Sequence, residues 1–133
     1  MTTVEPLTDD ERQYVEKLIT TFGRRMIKPK TCYRTAQLLM LHDEEKRLRY
    51  WECGHPIPHA WVTINGKVVD VTAEATDRQL KRMGMTPDQH DYDYSRGVEI
   101  AWELVAENMR RTREHGPVVD WDTAFIKEHF ARP

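Results

Sequence analysis

The chain of 133 residues lacks an apolar run of the roughly 18 residues that a membrane-spanning helix needs. It also has little excess charge of either sign. A net charge of −2 gives no indication of the basic surface that would bind nucleic acid or an anionic membrane. Its N-terminal residues lack the basic and apolar regions of a signal peptide. We therefore expect a cytoplasmic protein that binds neither nucleic acid nor membrane.

Cysteine is equally scarce. The only two, Cys32 and Cys53, are too few for a disulfide framework, and without an export signal they predict free thiols in a reducing compartment. A disulfide between them is the less favoured alternative. The sequence has no internal repeat, low-complexity tract or linker, and 39% of its residues are apolar, which suffices for one core. We expect a single domain over residues 1–133.

A run of fourteen residues, 59–72, predicts a tight β-hairpin. Asn65-Gly66 stands between alternating apolar residues, and a two-residue type I′ turn needs positive φ at both positions. The turn predicts these pairs: Ile64 with Lys67, Thr63 with Val68, Val62 with Val69, Trp61 with Asp70, Ala60 with Val71 and His59 with Thr72. His59 and Asp70 then share one face as diagonal neighbours, roughly 7–8 Å apart at the backbone. Asp70 could therefore orient the ring of His59.

Upstream, the segment 28–41 changes from loop to helix. Thr31 is a plausible N-cap, which places Cys32 in the first helical turn at the head of an apolar stripe that continues through Ala36, Leu39 and Met40. The partial positive charge of a helix N-terminus favours a thiolate, and the unpaired amide of Cys32 is a candidate oxyanion donor. A thiol, an imidazole and a carboxylate are the parts of a cysteine-nucleophile acyl-transfer site.

The helix-start cysteine, the strand His-Ala-Trp-Val and the strand Val-Val-Asp-Val-Thr resemble the core of the transglutaminase-like proteins, part of the papain-like cysteine superfamily. The resemblance covers about residues 28–72. It implies an α+β fold in which a Cys-bearing helix packs on a small antiparallel sheet with flanking helices. It also implies that Cys32 is the nucleophile, His59 the general base and acid, and Asp70 the orienting carboxylate. Family members hydrolyse peptides or amides or transfer acyl groups to amines; we slightly favour hydrolysis, with no cofactor.

Four further residues near these motifs are candidates for substrate contact, namely Tyr33, Trp51, His55 and Trp61, although packing is the main interpretation of Trp61. The expected substrate is a peptide, a protein or a small amide. Outside the motifs, the sequence predicts these elements: a helix from Thr8 to about Gly23, a strand over 47–53, a short helix over 73–83, an exposed loop over 86–97, an amphipathic helix over 98–113 and a final helix that begins at Asp120 or Asp122.

Three alternatives remain open at this point. Cys53, His55 and His59, with Cys32 as a fourth ligand, could form a zinc site, although their spacing is not a standard one. A catalytically inactive papain-like module could bind a peptide or a partner protein. A small toxin or effector could use the thiol on a host protein.

Overall fold

The computed structural model describes residues 4–28, 30–54, 58–75 and 94–121. Its main elements are helices α1 (Asp9–Phe22), α2 (Cys32–Leu41) and α3 (Trp102–Thr112), and strands β1 (Leu48–Cys53), β2 (His59–Ile64), β3 (Lys67–Val69) and β4 (Val98–Ile100). Residues 71–75 are also helical, and 3-10 turns occur at Arg24–Met26 and Tyr94–Arg96. The strands form an antiparallel sheet in the order β3-β2-β1-β4. The expected α+β class is confirmed.

Helix α1 begins and ends where the sequence predicts. Thr8 accepts a hydrogen bond from the Glu11 amide, and Glu11 accepts one from the Thr8 amide, so both ends of a capping box are formed. Gly23 ends the helix at a φ of 94°, a conformation that glycine adopts without a Cβ clash. Glu11 also accepts hydrogen bonds from Asn65 and Lys67, which ties the start of α1 to the hairpin turn.

The core lies between the sheet and the first two helices. Direct cross-strand partners share a face, so the register of β1 on β2 places Leu48, Tyr50 and Glu52 on one face and Trp51 and Cys53 on the other. The first face supplies most of the sheet's buried apolar residues, which join the apolar stripes of α1 and α2 in one cluster: Tyr14, Leu18, Ala36, Leu39, Tyr50, Val62, Ile64 and Val69. This packing fixes where the first residue of α2 lies.

The hairpin register is confirmed for three pairs, Val62 with Val69, Thr63 with Val68 and Ile64 with Lys67. Asn65 and Gly66 have φ values of 51° and 78°, as a type I′ turn requires. The continuation of this strand to residue 72 is wrong, because residues 71–75 are helical. The carboxylate of Asp70 accepts a hydrogen bond from the Ala73 amide, so Asp70 caps this helix and ends the strand.

The amphipathic helix predicted over 98–113 is also wrong at its start. Val98–Ile100 forms strand β4, which pairs with residues 50–52 of β1, and α3 begins only at Trp102. Pairing with β1 satisfies main-chain groups along that edge, and β-branched residues such as Val98 and Ile100 suit a strand. The helical spacing of Val98, Ala101, Val105 and Met109 therefore spans two different elements, and Val98 is 49% exposed.

Two other expected helices fall largely outside the described residues. The helix predicted over 73–83 is described only to residue 75, and it begins before residue 73. The final helix is described only at Trp121. The loop predicted over 86–97 is described from Tyr94 onward, where it forms a 3-10 turn that is only partly exposed. No helix among residues that the structure describes is long and apolar enough to cross a membrane.

Candidate active site

Cys32 is the first residue of α2, as predicted. Its main-chain N–H therefore has no acceptor within the helix and lies at the positive end of the helix dipole. The capping role of Thr31 is wrong in its detail, because the Thr31 hydroxyl bonds both main-chain groups of Lys28 and the hydroxyl of Thr35 instead of a helix amide. Cys32 is half-buried and is a free thiol.

His59, the first residue of β2, forms a buried pair with Asp70. His59 Nε2 lies 2.5 Å from Asp70 Oδ2, and the two residues are only 2% and 9% exposed. The hairpin brings them together as the turn register predicts, although Asp70 lies just beyond the end of β3. Because water is excluded, this charge-assisted hydrogen bond is stronger than one at the surface.

Cys32 is a second hydrogen-bond partner of the His59 side chain. Burial lowers the pKa of a histidine, but here the hydrogen bonds of His59 to Asp70 and to Cys32 outweigh it and raise the pKa from 6.5 to about 9. The ring therefore has both the Asp70 carboxylate and the Cys32 sulfur as partners, and its raised pKa favours the protonated form.

A third segment, which begins at Tyr94 and is not predicted from the sequence, packs against the His59–Asp70 pair. The Tyr94 hydroxyl donates a hydrogen bond of 2.7 Å to Asp70 Oδ2, the oxygen that also receives His59. The ring of Trp61 stacks near His59, with ring centroids 6.0 Å apart, and packs in a T shape with the ring of Tyr94, with centroids 4.9 Å apart. A Cβ on Gly97 would lie 2.5 Å from Trp61 Cζ2, so glycine permits this close approach. No local sequence pattern marks Tyr94, which stands in a polar, turn-rich stretch.

The candidate substrate-contact residues lie in different settings. Trp61 is 1% exposed and packs against the His59–Asp70 pair. Trp51 is half-buried on the same sheet face and donates its indole N–H to Thr63. Tyr33 is half-buried next to Cys32 and packs on the core. His55 lies outside the described residues.

Cys53 lies directly opposite His59 on β1 and is fully buried, so it is close to the ring without being exposed. Both cysteines are free thiols. Within residues 4–28, 30–54, 58–75 and 94–121, no group of three or more His, Cys, Asp or Glu side chains has the arrangement of a metal site. The zinc alternative also needs His55, which those ranges omit.

A buried carboxylate on the opposite sheet face holds the segment that follows α3. Glu52 is fully buried and accepts hydrogen bonds from the Tyr50 hydroxyl, the Val118 and Val119 amides and the Trp121 indole. Glu52 has no predicted role, because the sequence does not determine which face of the sheet each side chain of its strand occupies. Trp121 also covers Gly54, where a Cβ would lie 2.5 Å from the indole ring. This segment therefore supports the end of β1, next to Cys53.

Comparison with known proteins adds no assignment: no protein-family model matches the chain, and neither the curated proteins nor the solved structures include a significant match.

Proposed function

We propose that the protein catalyses thiol-dependent acyl transfer on an amide or peptide-like substrate, and that its fold is transglutaminase-like within the papain-like superfamily. One observation carries the proposal: a single buried histidine has both a carboxylate and a helix-start cysteine as hydrogen-bond partners. A nucleophile, a base and an orienting group in this order define a catalytic triad by geometry and by role. Cys32, His59 and Asp70 take these three roles.

In the resting site, the proton of the Cys32 thiol resides on His59. The Cys32 sulfur attacks the carbonyl carbon of the substrate, and the amide N–H of Cys32 donates a hydrogen bond to the oxygen that becomes negative. The tetrahedral intermediate collapses as His59 gives its proton to the leaving amine, which breaks the carbon–nitrogen bond and leaves a thioester. His59 then takes a proton from water, and the hydroxide displaces Cys32 to release a carboxylic acid.

An amine in place of water would complete the same cycle as a transamidation. We favour hydrolysis slightly, because no sequence feature indicates a site for a second substrate. The acyl donor is a peptide, a protein or a small amide, and the reaction requires no cofactor. The two free thiols fit a reducing compartment, and we place the protein in the cytoplasm.

Alkylation by iodoacetamide with mass mapping of both thiols tests the proposal. An ordinary thiol has a pKa of about 8.5, so only about one in three hundred is a thiolate near pH 6. We expect Cys32 to react near pH 6 at least ten times faster than such a thiol, and to lose this advantage in His59→Ala.

Cys53 is the internal control, because it is fully buried. It should react slowly in the folded protein at every pH. Equal, slow alkylation of Cys32 and Cys53 near pH 6 would contradict the proposal and favour an inactive binding module. Stoichiometric zinc in the purified protein would contradict it in favour of the metal site.

A further inference from the structure

We propose that Tyr94 is a positioning residue of this site: its hydroxyl holds the Asp70 carboxylate in the orientation that directs the His59 ring toward Cys32. This inference rests on the proposed function for its catalytic meaning. Its physical basis is the arrangement of three donors around one buried carboxylate. Tyr94 and His59 both bond Oδ2, at 2.7 Å and 2.5 Å, and the Ala73 amide bonds Oδ1 at 3.2 Å.

The three donors come from three separate parts of the chain. The Ala73 amide fixes only one oxygen, at the start of the helix that Asp70 caps. A carboxylate held at one oxygen can still rotate about its terminal bond, because such torsions are broad. The Tyr94 hydroxyl removes this freedom at the other oxygen, so Oδ2 stays in line with His59 Nε2.

Tyr94 is itself fixed from two sides. Its ring packs in a T shape with the ring of Trp61, at a centroid distance of 4.9 Å and an interplanar angle of 76°, and Trp61 in turn stacks near His59. Gly97 makes a turn back to the carbonyl of Tyr94 and lies against the Trp61 ring. The hydroxyl is therefore presented by a packed segment, and it acts on the reaction through Asp70 rather than on substrate.

This arrangement has an electrical consequence for His59. The positive end of the Tyr94 hydroxyl dipole points at the oxygen that His59 uses, so it takes up part of the negative charge there. Among the residues that the structure describes, the titratable groups next to the ring include Cys32 from α2, Cys53 from β1 and Asp70 after β3, and Tyr94 bonds Asp70. Without the hydroxyl, Asp70 attracts the imidazolium more strongly, and the pKa of His59 rises further above about 9.

The test measures the His59 titration by NMR in the wild-type protein and in Tyr94→Phe, which keeps the ring against Trp61. We expect the midpoint to rise by about half a pH unit or more, since hydrogen bonds shift pKa values by amounts of this order. The control is Tyr14→Phe, which removes an equivalent hydroxyl from the buried carboxylate of Asp43 away from the site. It should lower stability and leave the His59 midpoint unchanged.

A second variant, Gly97→Ala, keeps Tyr94 but forces its segment away from Trp61, and it should move the midpoint in the same direction. An unchanged or lower midpoint in Tyr94→Phe, or an equal shift in Tyr14→Phe, would overturn the proposal. The alkylation rate of Cys32 separates the two proposals. Slow alkylation in the wild-type protein would defeat the catalytic function, whereas the NMR midpoints would still decide whether Tyr94 positions Asp70.

Discussion

Replacement of His59 by glutamine is expected to remove a pH dependence from the stability of the fold. A histidine whose pKa is higher in the folded chain than in the unfolded chain stabilises the fold while it is protonated. The rise from 6.5 to about 9, at 1.36 kcal/mol per unit, corresponds to roughly 3 kcal/mol. This contribution is complete below about pH 6.5 and is lost as the pH rises through about 9, where the folded ring loses its proton.

Urea unfolding at a series of pH values between about 6 and 9.5 measures this contribution directly. The free energy of unfolding of the wild-type protein should fall by up to about 3 kcal/mol as the pH rises across the series. His59→Gln should lose much less, because glutamine does not titrate, and Cys32→Ala should lie between them, since Asp70 still bonds the ring. Equal losses in the wild-type protein and in His59→Gln would refute the assignment of the raised pKa to this histidine.

Three further predictions concern the parts of the fold that support the site. Hydrogen bonds, chiefly from Lys67, lower the pKa of Glu11 from 4.5 to about 2, so the stabilising effect of the ionised carboxylate is lost as the pH falls from 4.5 toward 2. In thermal melts over this pH range, the melting temperature of Glu11→Gln should therefore fall less than that of the wild-type protein. Glu52→Gln replaces an accepting oxygen by an amide donor that faces other buried donors, so it should lower the free energy of unfolding in urea by about 1–3 kcal/mol. Hydrogen exchange at the Val118 amide should also become faster. Gly66 has a φ of 78°, which a residue with a Cβ adopts at a cost, so Gly66→Ala should lower the free energy of unfolding by about 1–2 kcal/mol. An unchanged free energy of unfolding would contradict the turn type.

The parts of the site that the sequence predicts are those set by short-range geometry. The Asn65-Gly66 turn determines the register of its own hairpin, and this register carries His59 toward Asp70. Helix α2 begins at Cys32, where the apolar stripe of the sequence begins at helical spacing. The end of β3 could also have been predicted, since Asp70 precedes Ala73-Glu74-Ala75 and aspartate favours the N-cap. The alternation of apolar residues that continues through Val71 instead predicts a longer strand, and the structure shows that the N-cap preference of Asp70 prevails.

The contacts that the sequence does not predict join distant segments. Tyr94 reaches Asp70 across 24 positions, and Glu52 reaches Val118 across 66. Neither contact has a spacing pattern, because only tertiary packing brings the partners together. Strand β4 is missed for the same reason: Val98 fits a helical stripe locally, and only the unpaired edge of β1 makes it a strand.

Trapping of the covalent intermediate tests the central claim most directly. The protein is mixed with p-nitrophenyl acetate, quenched in acid within seconds, and digested for mass mapping. We expect an acetyl group on Cys32 within the first turnover and its decay on longer incubation, as water attacks the thioester. Cys32→Ala should form no such adduct, and His59→Ala should form it much more slowly than the wild-type protein. Absence of acetyl from Cys32, or equal acetylation in the wild-type protein and in His59→Ala, would contradict the account.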